Sequence, residues 1–225
     1  MKRQNNKMPF VWTKDVSEYL KMASKDMLVI ELGLIIYSIG TALFYVAGLG
    51  SHPMATFCDG LHISLNVSYG MANLIANLIL LSALFVVGRK YINLGTVLCV
   101  FTTGPWINLF TDLLLRLKIA EHGISLRVLS AVLGTVLMGG GLGLYVAADR
   151  GFGAVEGLIK VLCSKCQWVS FTMAKIMQDI LFVASGVLLG ARWGFGTAFA
   201  VLFTGPILQA SIQLFTRLLT NRRAE

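Results

Sequence analysis

Long apolar stretches separated by short polar segments run along the chain from about residue 27 to residue 216. A helix needs about 20 mostly apolar residues to cross the hydrocarbon layer of a bilayer, and six stretches have that length. They lie near 27–48, 69–88, 93–115, 127–148, 168–190 and 195–216. The pattern therefore predicts an all-α fold, a polytopic transmembrane helical bundle of about six spans.

Composition argues against a soluble globular protein. Of the 225 residues, 56% are hydrophobic and only 13% are charged, and the mean hydropathy is +0.74. This is more apolar surface than a soluble core of this size could bury. Residues 1–26 form a polar, lysine-bearing leader, for which an amphipathic helix in the headgroup layer and an unstructured tail both remain open. A signal peptide would have a short apolar stretch followed by a cleavage site, whereas this leader runs straight into a full-length span, so we expect the first span to be retained.

Basic residues are divided unequally between the two sides of the predicted bundle and produce a net charge of +8. Fourteen of the 19 lie on the side that carries both termini, four lie on the other side, and Lys175 falls inside a span. The positive-inside rule then places both termini, including the tail 219–225, in the cytoplasm. Membrane topology explains the charge, so no nucleic-acid partner is expected.

The second half of the chain repeats the first at an offset of 100 to 102 residues. Tyr45-Val46-Ala47 recurs as Tyr145-Val146-Ala147, and Thr103-Gly104-Pro105 recurs as Thr204-Gly205-Pro206. Asn77 matches Asp179. Each copy, 27–118 and 119–218, holds three spans, and an odd number makes the second copy enter the membrane from the opposite side. The sequence thus predicts two inverted-topology repeats, an arrangement common among secondary transporters.

Two segments that follow the first span of each copy, Gly50–Asn66 and Gly151–Cys166, are largely apolar but too short to cross the membrane. We predict that both are re-entrant and expose helix N-termini to a substrate near the midplane. The alternative is a pair of loops that only cap the bundle.

These segments also carry a resemblance to a known family. The run Ala47-Gly48-Leu49-Gly50-Ser51-His52-Pro53, followed by Gly60-Leu61 and by Gly104 and Asn108, resembles the YczE/YitT-type bacterial membrane proteins, a group without an established activity. The family loop usually has an aromatic and an acidic residue where this chain has Met54 and Ala55, whereas Glu156 supplies the acid in the second copy. The resemblance implies a multi-pass protein of the bacterial plasma membrane.

Ionisable residues at membrane depth are costly unless they have a partner or a function. Asp179 is the deepest, and Lys175 lies one turn before it. We predict that Asp179 lines a polar cavity, is held by Lys175 and faces Asn77. Glu31, one turn inside the first span, is expected to reach the cytoplasmic face instead.

The two Thr-Gly-Pro tripeptides add a second source of polar groups. Each proline leaves a carbonyl four residues earlier without its donor, at Phe101 and Leu202, and such kinks serve either shape or ligand binding. The candidate substrate-binding residues are Ser51, His52, Asp59, Asn77, Thr103, Gly104, Asn108, Gly153, Glu156, Lys175, Asp179, Thr204, Gly205 and Gln209.

No motif of an enzyme is present, since the chain lacks HExxH, GxSxG and nucleotide-binding glycine patterns. Cys163 and Cys166 form a lone CxxC, which lacks the further ligands of a zinc site. We therefore expect no catalytic residues, no metal and no cofactor. The leading hypothesis is a small permease, either transporter or channel-like, for a small molecule or ion. The alternative is a non-transporting accessory or scaffold protein, such as a substrate-binding subunit of a larger importer. Either is compatible with a homodimer in the lipid bilayer.

Overall fold

The computed structural model describes residues 14–67, 69–148, 152–166, 168–191 and 193–224. Eight α-helices account for most of these residues, and two single turns of 3-10 helix lie at Arg89–Tyr91 and Ile119–Glu121. The α-helices are α1 (Lys14–Val46), α2 (Pro53–Leu65), α3 (Tyr69–Gly88), α4 (Leu94–Leu115), α5 (Ile124–Ala147), α6 (Ala154–Lys165), α7 (Phe171–Leu188) and α8 (Phe195–Ala224).

Six of these helices, α1, α3, α4, α5, α7 and α8, contain stretches long and apolar enough to cross a membrane. The predicted spans are confirmed to within about four residues at either end. Helices α2 and α6, with 13 and 12 residues, are too short to cross a bilayer. Large apolar side chains such as Phe101 and Val86 are 72% and 82% exposed, as expected for surfaces that contact lipid.

The two ends of the described chain differ from the prediction. Helix α1 runs without interruption for 33 residues from Lys14, so residues 14–26 continue the first span instead of forming a separate leader helix. Helix α8 likewise continues to Ala224 through most of the predicted tail. Residues 1–13 of the predicted leader lie outside the described residues.

Helices α1 and α5 form the centre of the bundle and pack in antiparallel directions. A Cβ atom placed at Gly33 would lie 2.8 Å from the carbonyl oxygen of Gly141, and one placed at Gly40 would lie 2.7 Å from that of Gly134. Only glycine lets the two backbones approach this closely, as is common in membrane interfaces. The core beside this contact includes Phe44 and Tyr145, both at most 1% exposed.

The remaining helices pack around this central pair. Helix α4 packs along α1, and α8 packs along α5. Gly139 and Gly143 of α5 lie against Ile207 and Ser211 of α8, so these glycines let the two helices pack closely. Helix α2 packs on α7, and α6 packs on α3.

Hydrogen bonds connect the start of each short-helix segment to the first turn of a distant helix. The Ser51 N–H donates to Thr197 Oγ1 of α8 over 3.1 Å. Thr96 Oγ1 of α4 donates to the Phe152 carbonyl over 2.7 Å. Gly50 has a φ of +131°, which favours glycine, and a Cβ there would lie 2.5 Å from Thr197 Oγ1. These contacts fix where α2 and α6 begin.

Candidate functional site

Helix α2 runs parallel to α7, so its amino end lies beside the middle of that helix. Phe57 near the start of α2 stacks on Phe182 with 5.5 Å between ring centroids, and Gly60 lies against Gly186 one turn further along. His52, the residue that precedes α2, is 8% exposed and interacts electrostatically with Lys175 of α7. The amino end of α2 is thereby directed into the protein.

Helix α6 brings a carboxylate to the same place. Glu156 lies in the first turn of α6, is 5% exposed, and interacts electrostatically with both Lys175 and Asp179. Its carboxylate lies over Gly153, the residue that caps the amino end of α6. The amino ends of both short helices therefore converge on the same segment of α7.

Lys175 and Asp179 form a buried ion pair on α7, one helical turn apart, as predicted. Their side chains are 3% and 0% exposed. Lys175 donates to Asp179 Oδ1, while Asp179 Oδ2 is buried without a hydrogen-bond partner among the described residues. The side-chain oxygen and nitrogen of the neighbouring Gln178 are also buried without a hydrogen-bond partner among these residues. An unsatisfied buried oxygen is costly unless a further group, such as a proton or a ligand, uses it.

Three uncharged side chains that the sequence did not single out complete this cluster. Tyr37 of α1 lies within electrostatic reach of Glu156, Cys99 and Asp179. Cys99 of α4 and Tyr145 of α5 interact with each other and with Glu156. Tyr145 belongs to a repeated tripeptide, but the repeat did not predict that its side chain would lie in a polar site. We refer to Tyr37, Cys99, Tyr145, Glu156, Lys175 and Asp179 as the buried polar cluster.

Burial sets the protonation of the groups at the two helix starts. It lowers the pKa of His52 to about 3, with help from the positive charge of Lys175, so His52 is neutral at physiological pH. Burial raises the pKa of Glu156, although Lys175 partly opposes this effect. The pKa of Asp59 on α2 is also raised by burial, against the hydrogen bond it accepts from Ser51. A neutral His52 leaves Lys175 as the cation of the site.

The predicted pairing of Asn77 with Asp179 is not seen among the described residues, where α3 packs on α2 and α6. The Asn77 amide donates to the carbonyl and the side-chain oxygen of Asn73, at 3.0 and 2.8 Å, within its own helix. Cys58 of α2 lies beside the same Asn73 oxygen. Helix α3 thus carries a neutral pair at the spacing of the charged pair on α7, and each pair closes on itself because i and i+4 residues share a helix face.

The Thr-Gly-Pro tripeptides lie within continuous helices, α4 and α8. Thr103 donates to the Cys99 carbonyl over 2.5 Å, so it lies beside the buried polar cluster. Thr204 is 1% exposed and its hydroxyl has no partner among the described residues. Gly205 packs against α7 at Thr172, whose hydroxyl donates to Gln209.

Other predicted residues lie apart from the cluster. Asn108 is exposed, and a Cβ at Gly104 would meet nothing within 4 Å. Glu31 does not extend to the cytoplasmic face as expected. Instead it accepts hydrogen bonds from Trp106 at 2.6 Å and Thr102 at 3.4 Å, both on α4. These partners are 75 and 71 residues away in the sequence, so the local pattern around Glu31 could not predict them.

The comparisons with known proteins agree with this architecture. Residues 24–213 match the model of a family described as a family of unknown function, DUF6198. The chain belongs to this family. The chain is similar to an uncharacterised membrane protein, YczE of Bacillus subtilis, with 30% identity over 198 residues, covering 85% of this chain and 89% of YczE. The resemblance seen in the sequence is thereby confirmed.

Two more distant relatives have equally uninformative descriptions. An uncharacterised protein of Haemophilus influenzae is 25% identical over 197 residues, covering 86% of each chain. The uncharacterised protein YyaS of Bacillus subtilis is 23% identical over 194 residues, covering 85% of this chain and 96% of YyaS. No solved structure gives a significant match. This member of DUF6198 is therefore a multi-pass membrane protein with bacterial homologues, and its function has to be argued from its own residues.

Proposed function

We propose that the protein is a small permease, a transporter or channel-like protein built from inverted repeats, for a small solute that binds at the buried polar cluster. The observation that carries the proposal is the convergence of the amino ends of α2 and α6 on the Lys175–Asp179 pair. Half-helices whose amino ends meet inside the membrane form the substrate sites of many inverted-repeat transporters. A protein that only holds others together has no need for charged groups at this depth.

The reciprocal contacts of α1 and α5 support the inverted repeat. Positions 101 residues apart in the sequence are equivalent, so Gly33 corresponds to Gly134 and Gly40 corresponds to Gly141. In the structure Gly33 contacts Gly141 while Gly40 contacts Gly134. Two elements that exchange partners in this way, and that run antiparallel, are what a twofold axis perpendicular to the helices would produce. Such an axis lies in the membrane plane, as in inverted repeats.

The same register is found at the other contacts between the copies. Thr96 binds the segment before α6 and Thr197 binds the segment before α2, again 101 residues apart. At this offset Tyr145 corresponds to Phe44, not to the identical letter Tyr45. The burial agrees, because Phe44 and Tyr145 are at most 1% exposed whereas Tyr45 is 57% exposed.

The position of the cluster along α7 supports a site near the midplane. Asp179 is the ninth of the 18 residues of α7. Helices α2 and α6 therefore begin near the middle of a spanning helix, and each extends from there towards a membrane surface. In this arrangement both are re-entrant, one from each side of the plasma membrane. The distribution of basic residues supports a cytoplasmic location for both termini. The positive ends of two helix dipoles then face the site.

The experiment that tests a permease is whether water reaches the two helix starts. In a background without the four native cysteines, Ala55→Cys in α2 and Val155→Cys in α6 are treated with a membrane-impermeant cationic thiol reagent. Right-side-out and inside-out vesicles are compared. We expect at least one of the two positions to react, Ala55→Cys from outside or Val155→Cys from inside. Phe101→Cys, which faces lipid on α4, should not react, because a thiol in hydrocarbon does not ionise.

Surface positions provide the remaining controls and test the orientation. Glu121→Cys should react only in right-side-out vesicles and Lys165→Cys only in inside-out vesicles. If both surface controls react as expected but Ala55→Cys and Val155→Cys are silent from either side, the cluster is sealed from water. That result would overturn the permease proposal in favour of the accessory or scaffold role.

A further inference from the structure

The described part of the buried polar cluster contains an imbalance of charge. Glu156 and Asp179 contribute two carboxylates, whereas Lys175 contributes one ammonium, and all three side chains are at most 5% exposed. Lys175 pairs directly with Asp179 through Oδ1. If every group were ionised, one negative charge would remain uncompensated in a medium where isolated charges are very costly.

The surroundings of Glu156 show which species can compensate this charge. The groups that face it are Tyr37 of α1, Cys99 of α4, Tyr145 of α5 and the Lys175–Asp179 pair of α7. On the side of α3, Leu84 packs over Gly157 and adds no polar atom. An alkali-metal ion would need several oxygen ligands and would lie beside the ammonium of Lys175. A proton needs one oxygen and no coordination shell.

We infer that Glu156 carries an exchangeable proton at the point where α2 and α6 converge. The unpartnered Asp179 Oδ2 marks a second proton acceptor in the same cluster. The inference deepens the proposed function, because a proton at this point would be the coupling ion of the permease. Proton binding itself does not require transport, so the two proposals can fail separately.

Stability should report this proton through linkage. Because the pKa of Glu156 is raised in the folded protein above its ordinary value of 4.5, the folded state binds the proton more tightly than the unfolded state. Stability from this group is greatest when it is protonated. It is lost as the pH rises from about 4.5 towards the folded pKa.

The test is thermal unfolding of the full chain in nanodiscs as a function of pH, with choline chloride as the salt. Wild-type Tm should fall as the pH rises through this window. Glu156→Gln, which mimics the protonated acid, should fold and lose that fall. Glu121→Gln, the same substitution at an exposed residue, should keep the wild-type slope. Coinciding profiles of wild type and Glu156→Gln would overturn the inference.

Two further measurements test for an alkali-metal ion at the site and cover the case in which Glu156→Gln does not fold. If sodium chloride in place of choline chloride raises the Tm of the wild type but not of Glu156→Gln at fixed pH, the site takes an alkali-metal ion and the proton assignment is wrong. If Glu156→Gln does not fold, the infrared difference spectrum of Asp59→Asn between neutral and high pH replaces it, since among the described residues outside the spans Asp59 is the second acid whose pKa burial raises. A protonated carboxyl band at neutral pH is expected, and its absence would also overturn the inference.

Discussion

Lys175 and Asp179 lie one turn apart on α7 and form a buried ion pair, and Asn73 and Asn77 form a neutral pair at the same spacing on α3. Both pairs are four residues apart because only that spacing, or three, brings side chains together on one helix. In the proposed repeat Asn77 and Asp179 are equivalent, so this position would be polar in both copies but charged only in the second. Under that proposal, charge here is not a requirement for folding a span.

Replacing one member of the charged pair should harm the fold more than replacing both. Asp179→Asn removes the carboxylate that Lys175 hydrogen-bonds and leaves Glu156 as its electrostatic partner, so the cost should not exceed about 3–5 kcal/mol, the value for a buried pair broken outright. The double variant Lys175→Asn/Asp179→Asn reproduces the neutral pair of α3 and should recover most of that loss. Thermal unfolding in detergent and the monodisperse yield measure both effects. A double variant as unstable as the single one would show that the charges themselves hold the helix in place.

The contact between α1 and α5 leads to a prediction with an internal control on one helix. At Gly141 an added Cβ would lie 2.5 Å from the Gly33 carbonyl oxygen, while at the adjacent Gly140 it would meet nothing within 4 Å. Gly141→Ala should therefore lose about 1–3 kcal/mol through overpacking. Gly140→Ala should be neutral or gain up to about 1 kcal/mol from helix propensity. Equal thermal stability of the two variants would contradict the close packing of these helices.

The spans could be predicted because length and apolarity alone decide whether a segment crosses a membrane. The start of α1 could not, since the polar residues from Lys14 onward carry no stop signal and the helix continues through them. Identical residues at a constant offset suggested the proposed repeat, but they do not show that Tyr145 packs against Gly33, the contact that favours aligning Tyr145 with Phe44. The local sequence pattern thus predicts the helices, whereas their packing depends on contacts between residues that are distant in the sequence.

The candidate site could be predicted where partners are close in sequence. Lys175 and Asp179 are four residues apart, so their pairing followed from helix geometry. Tyr37 and Cys99 were missed because uncharged residues in an apolar helix resemble ordinary core. Glu31 was assigned to the cytoplasmic face because Trp106, its partner, is 75 residues away. Which faces of two helices meet is a property of the whole bundle.

Arg127 joins the two halves at the end of α1 and should contribute to stability. Its guanidinium donates to the Ala47 carbonyl at 2.9 Å and to the Gly48 carbonyl at 2.6 Å. Hydrogen bonds from a charged donor contribute about 1.5–3 kcal/mol, and carbonyls at a helix end need such partners. Arg127→Ala should lower the Tm clearly, and Arg127→Lys, which lacks the planar fork, should recover only part. Arg116→Ala, at an exposed position, is the control and should change little.

The last prediction concerns a difference between the two halves at their Thr-Gly-Pro tripeptides. An added Cβ at Gly205 of α8 would lie 3.6 Å from Ile176 of α7, whereas one at Gly104 of α4 would meet nothing within 4 Å. At its tripeptide α8 thus packs against α7, whereas α4 has open space beside Gly104. Inverted repeats in transporters adopt different conformations, and exchanging those conformations converts one state into the other.

A short thiol cross-linker measures this difference in a cysteine-free background. Gly205→Cys with Ile176→Cys should cross-link readily, and Gly104→Cys with Leu74→Cys, the matching pair in the first half, should not. If the protein alternates between two states, a condition that increases the second cross-link must decrease the first, because a population shift towards one state depletes the other. Cross-links that form equally in both pairs, or that rise together, would show a symmetric bundle that does not alternate in this way. Such a result would leave a static pore as the form of permease compatible with the cluster.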